Sequence, residues 1–349
     1  MKQKKIFLII FCLGSFIVFS NCGRKIKLPT NLPELGEGTL DTTYVSVGKP
    51  WEEANGLSFD HPQDVHIGFD GYIYIADADN DRIVKLDQAG NFMEQYDGVK
   101  NPSSVSQDRL FRLLATGGNT IYKKGIQDES FISIYIAPDV YDTIPIVIDS
   151  VDTFLVDTSV TIYEGIAPNP LPLSGYAEYY ACDFTRSEIT KFRFFEPSEI
   201  YNMGPAIPKG WELGKTYYPL GIFTYLTPTG FNLIFCQFLY YYSVQLLDGK
   251  DFSPVIPAPP YPDIYRAGTF GQAEDVTMDE HENIFVVDSE KNSVLKFSKN
   301  GVQILSFGTE GTGEKQFQNP KGIAYADKIV YVADTGNNRI LRFMLSTER

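Results

Sequence analysis

The stretch IVYVADTGNNRILRF, Ile329 to Phe343, has a counterpart far upstream in YIYIADADNDRIVKL, Tyr72 to Leu86. Each copy reads as an alternating strand ending on an Asp (Asp334, Asp77), then a polar turn closing on an Arg five residues later (Arg339, Arg82), then a second alternating strand. A period of two on both sides of a short polar turn is the signature of a β-hairpin. Both hairpins share a lead-in, Phe317-x-x-Pro320-x-Gly322-Ile323 in the late copy and Phe59-x-x-Pro62-x-Asp64-Val65 in the early one. A third copy runs Phe270-x-x-Ala273-x-Asp275-Val276, NIFVVD to Asp288, then VLKF from Val294 to Phe297.

These residues resemble the NHL repeat, a module that forms one four-stranded blade of a β-propeller. With the Asp as a ruler and a β-branched residue six places on, fainter copies fall at Asp183 with Ile189, Ala115 with Ile121 and Phe238 with Val244. The landmarks 77, 115, 183, 238, 288 and 334 are spaced 38, 68, 55, 50 and 46 residues apart. Blades run roughly 40 to 50 residues, so six are expected, with an insertion in the longest gap rather than a seventh blade. The last repeat ends after its third strand, and Tyr44-Val45-Ser46-Val47-Gly48 has the pattern of the fourth strand Ile304-Leu305-Ser306-Phe307-Gly308. The expectation is an all-β propeller closed by an N-terminal strand pairing into the C-terminal blade, which leaves no open edge between first and last repeats.

Residues 1–21 stand apart. Lys2, Lys4 and Lys5 precede the apolar run Ile6 to Phe19, which is shorter than the about 20 residues that span a bilayer, so the segment reads as a secretory signal. Its end, Phe19-Ser20-Asn21-Cys22-Gly23, resembles a bacterial lipobox, with Phe19 and Asn21 departing from the commonest pattern. The resemblance implies lipidation at Cys22, a membrane anchor and a place in the bacterial cell envelope, at the outer membrane or periplasmic face. Residues 22–41 are punctuated by Pro29, Pro33, Gly36 and Gly38 and read as a flexible tether, leaving 42–349 for the propeller, with insertions near 126–175 and 199–230.

Without the signal, 27 Lys and Arg face 44 Asp and Glu. Phosphate neutralisation by basic side chains supplies most nonspecific nucleic-acid affinity, so so acidic a body excludes nucleic acid as a partner. Of the cysteines that remain beyond Cys22, Cys182 precedes its landmark by one place and Cys236 by two. On alternating strands they would project differently, which argues against a disulfide. Gly125 to Thr185 carries ten acids and no Lys, Arg or His before Thr185, and TIPIVIDSVDTFLVDTSVTIY within it suggests an extra hairpin. Such a hairpin is either a calcium or partner appendage or a solvated acidic surface, and no Asp spacing matches a known cation loop.

Candidate chemistry is sparse. Asp77-Ala78-Asp79-Asn80-Asp81 starts like an EF-hand loop, but Arg82 occupies the Gly position and Gln88 the bidentate Glu position. The Arg is expected to pair with an acid of the same or an adjacent blade. The histidines are His61, His66 and His281. One relative with this kind of propeller, the peptidyl-glycine amidating lyase, holds a channel metal with His from several blades, whereas here His281 falls in a loop and His61 and His66 flank one lead-in. No nucleophile elbow, zinc-protease helix or phosphate loop is present in the sequence, so no catalytic residue, metal or cofactor is assigned. The expected function is a noncatalytic binding or scaffold lipoprotein contacting a protein, peptide or glycan partner. Its candidate contacts are the turns Asn80, Asp81 and Arg82, and Asn337, Asn338 and Arg339, with the aromatic insert around Trp211 as a further surface. The alternative is a channel-centred metal-dependent lyase or hydrolase.

Overall fold

The computed structural model describes residues 43–348 apart from 137–143, 149–151, 157–160, 174, 196–198, 239–240 and 257–261. The signal, lipidation and tether assignments for 1–41 lie outside the described residues. The two hairpins that open the sequence reading are central strands of separate antiparallel sheets. In one, Asp77 pairs with Arg82, and in the other Asp334 pairs with Arg339.

Six such sheets follow one another as blades. Their innermost strands are Pro62–Ile67, Pro102–Gln107, Tyr163–Pro168, Pro219–Thr227, Ala273–Met278 and Ile323–Ala326. Each inner strand contacts the next, and Ile323–Ala326 contacts Pro62–Ile67, which closes the ring. The stabilising apolar material lies between the blades. One cluster joins Tyr74, Val105 and Tyr122 across blades 1 and 2, and another joins Phe285, Val330 and Phe343 across blades 5 and 6. Alternation produces this arrangement, because each strand turns one set of side chains to either neighbouring blade.

Closure follows the sequence expectation. Tyr44, Val45 and Ser46 pair antiparallel with Leu345, Met344 and Phe343, completing the four strands of blade 6. Tyr44 is 3% exposed, and its ring stacks on Phe307 at 4.6 Å between centroids and meets Phe285 edge-on at 5.9 Å. The N-terminal strand thereby joins blade 6 and packs on blade 5.

Two of the expected landmarks shift in register. Pro102 faces Gly117 as Pro62 faces Asp77, so Gly117, not Ala115, is the landmark of blade 2, whose turn is shorter. In blade 4 the strand Gly230–Gln237 ends one residue before Phe238, and Gln237 takes the landmark position. Ile144–Ile148 pairs with Asp152–Val156 as a hairpin outside the blades. The stretch expected as an insertion near 199–230 instead holds Glu199–Ile207, the outer strand of blade 3, and Pro219–Thr227, the inner strand of blade 4, with a loop between them. Its weak alternation hid two long bulged strands.

Cys182 and Cys236 are both buried and free. Measured from Gln237, both precede their landmark by one place, so they are equivalent positions in neighbouring blades rather than positions of opposite projection. Burial pushes both thiols up, which keeps them protonated and unreactive. No helix among the described residues is long and apolar enough to cross a membrane.

Candidate functional site

In blades 1, 5 and 6 the landmark Asp fastens the blade to its own lead-in. Asp77 accepts from the backbone N–H of Asp60 at 2.8 Å, Asp334 from that of Gln318 at 2.7 Å and Asp288 from that of Gly271 at 2.8 Å. Gln237 does the same in blade 4, its Oε1 accepting from Tyr217 N–H at 3.0 Å. In blades 1, 4 and 5 the donor lies two residues before the first position of the inner strand, and in blade 6 it lies five residues before. The lead-in and the hairpin are therefore one folding unit, and this tie fixes how the inner strand enters the channel.

Immediately past the tie, blades 1 to 5 each carry a register shift, between Pro62 and Asp64, Pro102 and Ser104, Tyr163 and Ile166, Pro219 and Ile222, and Ala273 and Asp275. A bulge re-aims the side chains around it. Here it brings Asp64, Ser104, Gly165, Gly221 and Asp275 to one level of the ring, where Gly322 of blade 6 packs on Asp64.

At that level the blades are laced together. Asp64 crosses to blade 2, accepting from Val105 N–H at 2.9 Å and from the Ser104 hydroxyl at 3.0 Å. Asp275 crosses to blade 6, accepting from Ile323 N–H at 3.0 Å. Ser103 donates its hydroxyl to the Tyr163 carbonyl of blade 3 at 2.8 Å. The glycines complete the ring by close approach. A Cβ on Gly221 would stand 2.6 Å from the Asp275 Cα, and one on Gly322 would stand 2.5 Å from the Asp64 Cα.

Asp64, Ser104 and Asp275 line cavities on both sides of this level, which is the waist of the channel. The larger cavity, about 370 Å³, opens toward the loops between first and second strands. Its wall includes His66, Phe69, Gln107, Arg109, Tyr225 and Tyr325. Phe69 is 55% exposed at the rim, with the Arg109 guanidinium 5.9 Å from its ring centroid. His66 Nε2 accepts from Gln107 N–H at 3.1 Å, so the neutral ring carries its hydrogen on Nδ1. Burial pushes its pKa down to about 4, which keeps it uncharged at neutral pH. The smaller cavity is lined by Glu164, Glu274 and Lys321. Burial raises both glutamates above the usual carboxyl range, while the Lys321 charge opposes the shift.

Burial lifts Asp64 to about 6, against its hydrogen bonds to Val105, Ser104 and Val65. Asp275 is pushed well up, first by burial and then by the Asp64 charge across blade 6. Two carboxyls that repel each other hold a proton more firmly than either would alone.

A family model for the NHL repeat matches residues 317–343. The chain is a six-bladed β-propeller that carries an NHL repeat. No curated protein matches the sequence. Among solved structures, this NHL propeller is similar to a structural-genomics protein of unknown function from Bacteroides thetaiotaomicron, with TM-score 0.56 and 14% identity over 87% of this chain and 76% of that one. It is also similar to a gluconolactonase from Xanthomonas campestris, with TM-score 0.52 and 10% identity over 87% and 90% of the two chains. A virginiamycin B lyase from Staphylococcus aureus matches with TM-score 0.52 and 10% identity over 87% and 99%. At such identities the likeness is one of fold.

The turns expected to meet a partner have strong ties within the NHL propeller. Arg82 donates to Asp77 at 2.6 Å, to Gln95 at 3.0 Å and to the Leu57 carbonyl at 3.2 Å. Arg339 donates to Asp334 at 2.7 Å and to the carbonyls of Thr312, Gly313 and Gln316. Asn80 and Asn337 donate to Asp77 and Asp334, each at 2.9 Å. Asp81 accepts from Lys100 and from Asn101 N–H, both at 2.7 Å, and Asn338 accepts from His61 N–H at 3.0 Å. These turns join each blade to the loop that enters the next. The channel residues were visible in the sequence as lead-in positions, yet no local pattern marked them as neighbours of one another. His281 lies exposed in its loop, and His66 alone of the three histidines lines the larger cavity.

Proposed function

We propose that this NHL propeller is an envelope-anchored, noncatalytic binding lipoprotein that receives a projecting group of a protein, peptide or glycan partner in the wide mouth of its channel. The observation that carries this reading is the approximately 370 Å³ cup closed below by the waist. Its floor carboxylates are engaged by N–H and O–H donors of the following blade, so they brace the ring rather than stand free for chemistry. Its rim offers an aromatic ring, a guanidinium and tyrosines, a mixture suited to holding a group that is part apolar and part polar. Lipidation at Cys22 would keep the cup at a membrane surface. A photo-crosslinking amino acid at position 69 in native membranes should capture a discrete partner that is not captured from position 304, an exposed place on the outer strand of blade 5. Equal labelling from both positions would refute the cup as the site.

A second reading, a channel-centred metal-dependent lyase or hydrolase, draws support from Glu164, Glu274 and Lys321 converging at the narrow mouth. Against it, among the described residues, no channel set brings three metal-ligand atoms within 4.8 Å of one another. The names of two similar structures make a lactone and quinupristin the substrates to try. Turnover of either, lost in a folded Glu164→Gln protein, would replace the binding reading.

A further inference from the structure

We propose a divalent metal site outside the channel, formed by Asp60, His61 and Asp79 at the junction between the closing blade and blade 1. His61 Nδ1 lies 3.1 Å from Asp60 Oδ1 and 2.8 Å from Asp79 Oδ2. A ring nitrogen carries at most one hydrogen and a carboxylate oxygen carries none. If Nδ1 carries that hydrogen, one donor serves two carboxylate oxygens; if it does not, three lone-pair atoms converge with no hydrogen between them, and protonating the other ring nitrogen adds no donor at this point. A cation among them satisfies all three.

The spacing selects the cation. A first-row ion bound at about 2.0–2.2 Å to imidazole nitrogen and carboxylate oxygen sets neighbouring ligand atoms roughly 3 Å apart, which matches both separations. One nitrogen with two carboxylate oxygens suits Zn²⁺ and its first-row neighbours, since Ca²⁺ and Mg²⁺ favour oxygen alone. The three side chains are each about half exposed, which leaves room for water to complete the coordination shell.

The ligands are held from behind. Asp79 N–H donates to the Asp60 carbonyl at 3.1 Å, and Asp60 N–H donates to Asp77. From blade 6, Asn338 accepts from His61 N–H at 3.0 Å and its amide reaches Asp60 Oδ1 at 3.5 Å. Such outer partners orient metal ligands. A bound ion would thus link the lead-in of blade 1 to its own hairpin, on ligands steadied by the blade that the N-terminal strand completes.

The test is Zn²⁺ titration of the full chain prepared without a polyhistidine tag, followed by calorimetry and by melting temperature. Wild type and a His281→Ala control should bind one equivalent and melt higher with Zn²⁺, because an ion that binds only the folded state stabilises it. His61→Ala should lose that binding and the shift, and Asp79→Asn, which keeps the side-chain shape, should weaken binding at least tenfold. Since His61 and Asp79 are exposed, both variants should melt like wild type without metal. Absence of saturable binding in wild type, or equal binding by His61→Ala, overturns the site.

Discussion

Arg82 Nε donates to Asp77 Oδ2 at 2.6 Å, with the two side chains 1% and 0% exposed. Its counterpart Arg339 meets Asp334 at 2.7 Å in blade 6. Breaking a buried pair from one side leaves an uncompensated charge, at a cost of about 3–5 kcal/mol. Arg82→Ala should therefore lower the free energy of unfolding by that order in urea titration. Lys100→Ala, which removes an exposed partner of Asp81, should leave the midpoint nearly unchanged. Equal midpoints for the two variants would show that the turn arginines do not hold the blades.

Closure rests on Tyr44. Its ring is shared by Phe307 and Phe285, and large aromatic truncations in cores cost about 3–5 kcal/mol. Tyr44→Ala should destabilise the ring by that order, whereas deleting residues 24–38 should leave the melting temperature close to wild type. A similar melting temperature for both would contradict closure by the N-terminal strand.

The waist tolerates no added methyl. Gly221→Ala would press a Cβ to 2.3 Å from Asp275 Oδ1 and 2.6 Å from the Glu274 carbonyl oxygen, and overpacking of this kind costs about 1–3 kcal/mol. Gly230→Ala, where nothing lies within 4 Å, is the control. The prediction is a clear loss of thermal stability in the first and little in the second.

The pH dependence has a definite sign. Burial raises Asp64 from 3.8 to about 6, so between those values the folded protein holds a proton that the unfolded chain has released. Stability from this group is greatest below the ordinary carboxyl pKa and falls as pH climbs through about 6. Relative to Asp64→Asn, wild type should gain stability as pH is lowered across that window. A difference between the two that stays constant with pH would assign the proton elsewhere.

Anchoring is decided by one sulfur. Wild type expressed in a bacterial envelope should enter the detergent phase on phase separation, and Cys22→Ala should remain in the aqueous phase. Wild type that partitions like the variant would exclude lipidation.

The sequence by itself determined the blade, the repeat and the closure. Period-two alternation, the Asp-to-Arg turn and the self-similarity of Ile329 to Phe343 with Tyr72 to Leu86 are local properties, and local properties survive in a linear reading. Even the missing fourth strand was legible, because Tyr44 to Gly48 repeats a pattern found at Ile304 to Gly308. The tertiary structure alone decided which face of each repeat mattered. Alternation shows that Asp64 and Asp275 lie on an inner strand, but only the closed ring sets the Asp64 carboxylate on the backbone of Val105 and the Asp275 carboxylate on that of Ile323. Likewise, the turn arginines read as exposed until the strand-entry loops at Leu57 and at Thr312 to Gln316 fold over them. Burial and charge coupling belong to contacts between distant segments, so they appear only once six hairpins share one axis.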